Sequence, residues 1–140
     1  MPDRFLYRLP VRYADTDAQG HVFFANYLVY CDEALTYFFE HIGHPYTQLE
    51  AEHGVQLVYA SSGCDYHERT LFGDPLQVTV EVARLGRTSL TTRYRVERQP
   101  GVLAATGRLI SVCLDKQTRL PRPLPEPLRA ALAPYVTPEP

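Results

Sequence analysis

Cysteine is scarce in this sequence. The three present, Cys31, Cys64 and Cys113, are odd in number, far apart and form no C-x-x-C pair. That excludes a disulfide framework and a cysteine-held zinc site, and reduced thiols of a cytoplasmic protein are the plain expectation. Positive charge is not in excess either: 14 Lys and Arg against 16 Asp and Glu give a formal net charge of −2. A nucleic-acid partner is therefore not expected. No apolar run reaches the roughly 20 residues of a membrane-spanning helix. No apolar stretch precedes the first alternating segment, so no secretory signal is read. No repeat of roughly 20–50 residues recurs. His41, His44, His53 and His67 stand at no metal-ligand spacing, so neither metal nor cofactor is expected.

What remains is 140 residues, 45% hydrophobic and 21% charged, enough for one cored domain. Residues 5–13 alternate, with Phe5, Tyr7, Leu9, Val11 and Tyr13 on one side and Arg4, Arg8 and Arg12 on the other. Period two predicts a strand, and Pro10 places it at a sheet edge or a bulge. Residues 14–25 begin turn-like and end apolar. A helix is predicted over 26–42, where Leu28, Cys31, Leu35, Phe38 and Ile42 recur at helical spacing. Asn26 is its expected N-cap and Gly43 its expected terminating glycine. Tyr27, Val29, Tyr30 and Tyr37 widen the apolar arc, so the helix is expected to be covered on nearly all sides. Only Asp32, Glu33, Thr36 and Glu40 form a polar stripe, which is read as bonding backbone groups or lining a dimer seam.

Alternation predicts four further strands, from Val55 toward Tyr66, over 76–82, over 90–96 and over 102–114. Gly86 and the Pro100-Gly101 pair mark hairpin turns. Consecutive strands with short connections imply an antiparallel sheet, and one long helix against it makes an α+β architecture. Residues 1–133 are taken as one domain, with a short helix over 126–133. Residues 134–140 are taken as a mobile, proline-rich tail.

The most informative segment runs from Tyr13 to Tyr27. Asp17, Gly20, His21, Val22 and Tyr27 form the pattern D-x-x-G-H/V-V-(x)4-Y, followed at once by the apolar helix. This resembles the hydroxybenzoyl-CoA thioesterase family of hotdog-fold proteins. Further matches, in order, are Cys64-Asp65-Tyr66, Gly73-Asp74-Pro75-Leu76, Gly86-Arg87-Thr88-Ser89-Leu90 and Val112-Cys113-Leu114-Asp115 with Pro121–Pro125, so the resemblance covers roughly residues 4–130. It implies a hotdog fold, in which a five-stranded antiparallel sheet wraps one helix. It also implies acyl-CoA hydrolysis and a homodimer or homotetramer with active sites at the subunit junction.

A thioester carbonyl is electrophilic, and a thiol of pKa about 8.5 leaves readily. The enzyme chiefly needs a carboxylate, acting as nucleophile or general base, and donors for the developing oxyanion. A helix start offers unpaired amides with partial positive charge. Asp17, nine residues before the predicted helix, is the candidate catalytic carboxylate. By itself it also reads as a turn-stabilising residue. Gly20, His21, Val22, Phe23, Phe24 and Asn26 are the candidate oxyanion and substrate-positioning residues, with the amides of residues 22–24 as the donors. Phe23 and Phe24 stand where many relatives carry Tyr, His or Asn, so no helper side chain is expected there. His21 is read chiefly as packing or bonding within the turn. Asp15 is read as structural or solvent-facing. Tyr27 and Asp32 are assigned to the acyl pocket, and Phe23, Phe24 and Tyr27 suggest an apolar or aryl acyl group. Arg84, Arg87, Thr88 and Ser89 are assigned to the phosphates of coenzyme A, which guanidinium groups suit. The rival functions are an acyl-carrier-protein thioesterase and a non-hydrolytic acyl-CoA binding module.

Overall fold

The apolar spacing before Gly43 folds as a 16-residue helix, α1 (Asn26–His41), in the computed structural model of the chain, which describes residues 2–138. Its end follows the expected glycine chemistry. Gly43 has φ +83°, its amide donates to the Glu40 carbonyl at 3.0 Å, and the His44 amide donates to Phe39 at 2.8 Å. Its start differs. Ala25, not Asn26, holds the cap position, and Asn26 is the first helical residue. The Asn26 amide already donates to the Phe23 carbonyl at 2.8 Å, so the preceding turn does part of a cap's work. The Asn26 side chain reaches back instead, donating from Nδ2 to the Asp15 carbonyl at 2.8 Å.

Tyr30, Cys31, Ala34, Leu35, Phe38 and Phe39 are almost wholly buried on one face of α1. Burial of each large side chain contributes roughly 1.5–3 kcal/mol. The expected all-round cover is not supplied by the chain itself. Val29 and Tyr37 remain 42% and 48% exposed, beside exposed Asp32 and Glu40.

The strands are β1 (Phe5–Pro10), β2 (Val55–Tyr66), β3 (Pro75–Leu85), β4 (Ser89–Arg98) and β5 (Val102–Asp115). They form one antiparallel sheet in the order β1-β3-β4-β5-β2. β1 and β2 are therefore the edges, and Pro10 closes an edge strand as its missing N–H requires. β1 stops short of residue 13. The Val11 amide still donates to Asp74 at 3.0 Å, but the chain then turns through Tyr13–Asp15, drawn in by a bond from the Arg12 amide to the Asp15 carboxylate. A second helix, α2 (Tyr46–His53), was not expected; only Leu49 in it is buried, so it carries little apolar periodicity. α3 (Glu126–Leu132) matches the expected short helix and buries Leu128 and Leu132. Residues 134–137 of the tail bond to the rest of the chain. Asp3 donates to the Pro134 carbonyl at 2.9 Å, Tyr135 packs on Phe38 at 4.8 Å, and the Thr137 amide donates to Val82 at 2.8 Å. Contacts thus cross the boundary drawn at residue 133; Glu139 and Pro140 lie outside the described residues.

Val78, Val80, Val82, Leu90, Tyr94, Val96 and Leu109 face the helix as the sheet's buried side. Helix and sheet approach closely at Gly107, where an added Cβ would lie 2.8 Å from the Cys31 Sγ. Gly107→Ala is expected to destabilise by about 1–3 kcal/mol through overpacking. Cys31→Ala in the same chain should recover part of that loss. Additive effects in denaturant unfolding of the two single variants and the double variant would rule the clash out.

The register brings one set of ends together. Pro10 pairs with Pro75, Leu76 with Arg98 and Tyr66 with Ala105. The β3–β4 hairpin, where Leu85 pairs with Leu90, is at the other end of the sheet.

Candidate active site

Asp17 begins a tight turn between two short bridging residues, Thr16 and Val22. Its amide donates to the His21 carbonyl at 2.8 Å, and the Gly20 amide donates to the Asp17 carbonyl at 3.0 Å. Gly20 has φ +80°, a conformation that disfavours any residue with a Cβ. The Asp17 Oδ1 accepts the amides of Gln19 at 2.9 Å and His21 at 3.3 Å. One carboxylate oxygen thus does the turn-stabilising work. Oδ2 has no partner among the described residues.

The segment after the turn is fixed from two sides. The Val22 amide donates to the Thr70 carbonyl at 2.9 Å, and the Phe23 amide donates to Asp15 at 2.8 Å. Residues 23–26 then form a turn closed by Asn26 on Phe23, which places Phe24 and Ala25 at its two central positions. The amides of Phe24 and Ala25 have no partner among the described residues. Of the donors expected over residues 22–24, Val22 and Phe23 are therefore engaged, and Phe24 is left, joined by Ala25.

Asp17, Gln19, His21, Val22, Phe23, Phe24 and Tyr27 line an open cleft of about 630 Å³ with Tyr66, His67, Glu68 and Arg69. One wall is aromatic: Phe23 and Phe24 lie 4.7 Å apart by centroid, and Tyr66 meets Tyr27 edge-on at 5.5 Å. Tyr27 is buried, its hydroxyl bonded to Thr70 Oγ1 at 2.8 Å. The polar wall, residues 67–69, carries no motif in the sequence. It reaches the site because β2 ends beside β5 and the following loop bonds back to Ala104.

Asp15 is buried rather than solvent-facing, at 3% exposure. Burial alone would push its carboxyl pKa up. The Arg12 guanidinium and amide, with the Tyr30 hydroxyl, outweigh that and hold it below the usual carboxylate range. A depressed carboxyl stabilises the fold above the unfolded-state pKa of about 4, and the stabilisation is lost as pH falls through the folded value. The melting-temperature gap between wild type and Arg12→Ala should therefore be wide at pH 7 and narrow progressively as the pH falls below about 4. A gap of equal size throughout would point away from the Arg12–Asp15 pair.

Two sets of expected site residues lie elsewhere in the chain. Asp32 faces a separate groove of about 360 Å³ between α1, α2 and β2, where it accepts the Tyr59 hydroxyl at 2.5 Å. It does not share the Asp17 cleft. Arg84 and Arg87 are exposed at the β3–β4 hairpin, with Thr88 and Ser89 half-buried beside them. Arg129 of α3 holds this hairpin by donating to the Gly86 carbonyl at 2.6 Å. The 11 residues of β3 separate it from the Asp17 end of the sheet, a span of about 33 Å.

A five-stranded antiparallel sheet around one long helix, with a carboxylate and unpaired amides at the helix start, defines a hotdog-fold thioester hydrolase. Comparison with known proteins makes the assignment particular. The model of the thioesterase-like superfamily matches residues 11–132, and the chain belongs to that family. It is 35% identical over 122 residues to the 1,4-dihydroxy-2-naphthoyl-CoA hydrolase of Synechococcus elongatus, covering 85% of this chain and 88% of that protein. It is 31% identical over 127 residues to the acyl-CoA thioester hydrolase YbgC of Escherichia coli, covering 89% and 94%. Among solved structures, the hypothetical protein TT1821 of Thermus thermophilus superposes with a TM-score of 0.85 at 35% identity, covering 93% of this chain and 98% of that one. Among the described residues, no helix is long and apolar enough to cross a membrane.

Proposed function

We propose that the chain hydrolyses acyl-CoA thioesters with Asp17 as its catalytic carboxylate and the Phe24 amide as the principal oxyanion donor. The observation that carries this is one cleft lined both by Asp17, whose Oδ2 has no partner among the described residues, and by Phe24, whose amide is unpaired just before the helix. Asp17 either attacks the carbonyl carbon directly or takes a proton from the attacking water. Charge builds on the carbonyl oxygen and is met by the amide; the C–S bond then breaks and coenzyme A leaves as a thiolate that takes up a proton. In the general-base route this frees the acid at once, and in the direct route water then hydrolyses the acyl–Asp17 anhydride to the acid and the regenerated carboxylate. Phe23, Phe24, Tyr27 and Tyr66 favour an aryl or otherwise apolar acyl group.

The chain acts here as a homodimer or homotetramer. β2 is an open edge beside the cleft, and a second copy would be needed to bring Arg84, Arg87, Thr88 and Ser89 to a coenzyme A whose thioester lies at Asp17. Its three free thiols suit the reducing cytoplasm. The test is thiol release from benzoyl-, phenylacetyl- and straight-chain acyl-CoA, beside the matching acyl-carrier-protein thioesters. Turnover of the CoA esters, fastest with the aryl ones, is the expected result. A preference for carrier-protein esters would favour that rival, and tight binding without thiol release would leave only a binding module.

A further inference from the structure

Six hydrogen bonds converge on Asp15. Its carboxylate accepts the Arg12 amide at 3.0 Å, Arg12 Nε at 3.3 Å, Arg12 Nη2 at 2.9 Å and the Tyr30 hydroxyl at 2.9 Å, while its carbonyl accepts the Phe23 amide and Asn26 Nδ2, each at 2.8 Å. These donors come from Arg12 just after β1, the segment before α1 and the first turns of α1.

What hangs from this point is the site itself. Asp17 follows Asp15 by two residues. On the other side, the Phe23 amide is bonded to the Asp15 carbonyl, and the next amide is that of Phe24. The separation between carboxylate and amide therefore depends on where Asp15 is held. The Tyr30 hydroxyl is the only helix side chain bonded to the Asp15 carboxylate among the described residues.

We propose that Asp15, clamped by Tyr30 and Arg12, is a positioning residue that sets the distance between Asp17 and the Phe24 amide, resting on the catalytic roles proposed above for those two. Asp15 touches no reacting atom. Its side-chain bonds lock the backbone from which both reacting groups project, and misplacement by about 1 Å costs on the order of 100-fold in rate.

Tyr30→Phe removes one hydroxyl and keeps the ring that meets Tyr27 edge-on at 6.1 Å. Thiol release from benzoyl-CoA is measured for wild type, Tyr30→Phe, Asp15→Asn and Asp17→Asn, well below each melting temperature and with folding checked by circular dichroism. For Tyr30→Phe, kcat is expected to fall about 10- to 100-fold while KM changes less than about twofold, since transition-state alignment is lost rather than ground-state binding. Asp15→Asn should lose at least as much, and where it fails to fold, Tyr30→Phe alone decides. A purely structural role would lower the melting temperature and leave kcat per folded molecule at the wild-type value; that result overturns the proposal. Failure of the two ideas is separable. An inactive Asp17→Asn beside a fully active Tyr30→Phe sinks only the positioning role, whereas a fully active Asp17→Asn removes the catalytic assignment and the positioning role together.

Discussion

Asp17→Asn is expected to lower kcat for thioester hydrolysis by about 10³-fold, within the 10²–10⁴-fold range of a positioned acid–base group, and to leave the melting temperature unchanged. The contrast follows from how the two carboxylate oxygens are used. Oδ1 holds the turn by accepting the amides of Gln19 and His21, and an asparagine Oδ1 can accept both. The turn and its Gly20 corner therefore survive. What disappears is the negative charge and the free Oδ2, needed whether the residue attacks the carbonyl or activates water. KM should hold or fall, because a neutral residue repels an anionic substrate less and the charge acts chiefly in the transition state. Steady-state kinetics on the best CoA ester, with a parallel thermal melt, separate these effects. Full activity with that ester would end the assignment.

Phe24→Pro is expected to cost a further 10²–10³-fold in kcat relative to Phe24→Ala, about the loss seen when one oxyanion donor is removed. Proline fits here for a local reason. Phe24 occupies the first central position of the turn closed by Asn26 on Phe23, the position where the proline ring is best tolerated. Its N–H has no partner to lose, so the fold should be little affected. Phe24→Ala removes the same ring and keeps the donor, which isolates the amide from the aromatic wall. Equal rates for the two variants would remove the Phe24 amide from the mechanism. Far-ultraviolet circular dichroism checks that α1 persists in both.

These two experiments bear on a pairing whose parts differ in how they can be read from sequence. Asp17 and the helix after it are visible as a motif followed by 3.6-residue periodicity. The identity of the free amides is not. Val22 and Phe23 look as available as Phe24 until Thr70, 48 positions after Val22, and Asp15 are seen to engage them. Residues 67–69 likewise carry no signal, because their place in the cleft depends on β2 lying beside β5 rather than beside β3. Asp32 and the Arg84–Ser89 hairpin match the family in order along the chain, yet chain order does not show that they stand apart from Asp17 within one copy.

Periodicity and turn chemistry alone determine a long apolar helix ending at Gly43, strands that alternate about short turns, an edge or bulge position for Pro10 and a carboxylate placed before the helix. Each depends on residues within a few positions of one another, where side-chain direction and backbone preference act directly. Tertiary structure alone decides that β1 ends at Pro10, that Asp15 is buried as an anchor, that the tail is tied down as far as Thr137, and that two particular amides stay free. Those outcomes depend on which distant carbonyl or side chain satisfies each buried polar group, and only the folded chain brings such partners within hydrogen-bonding distance.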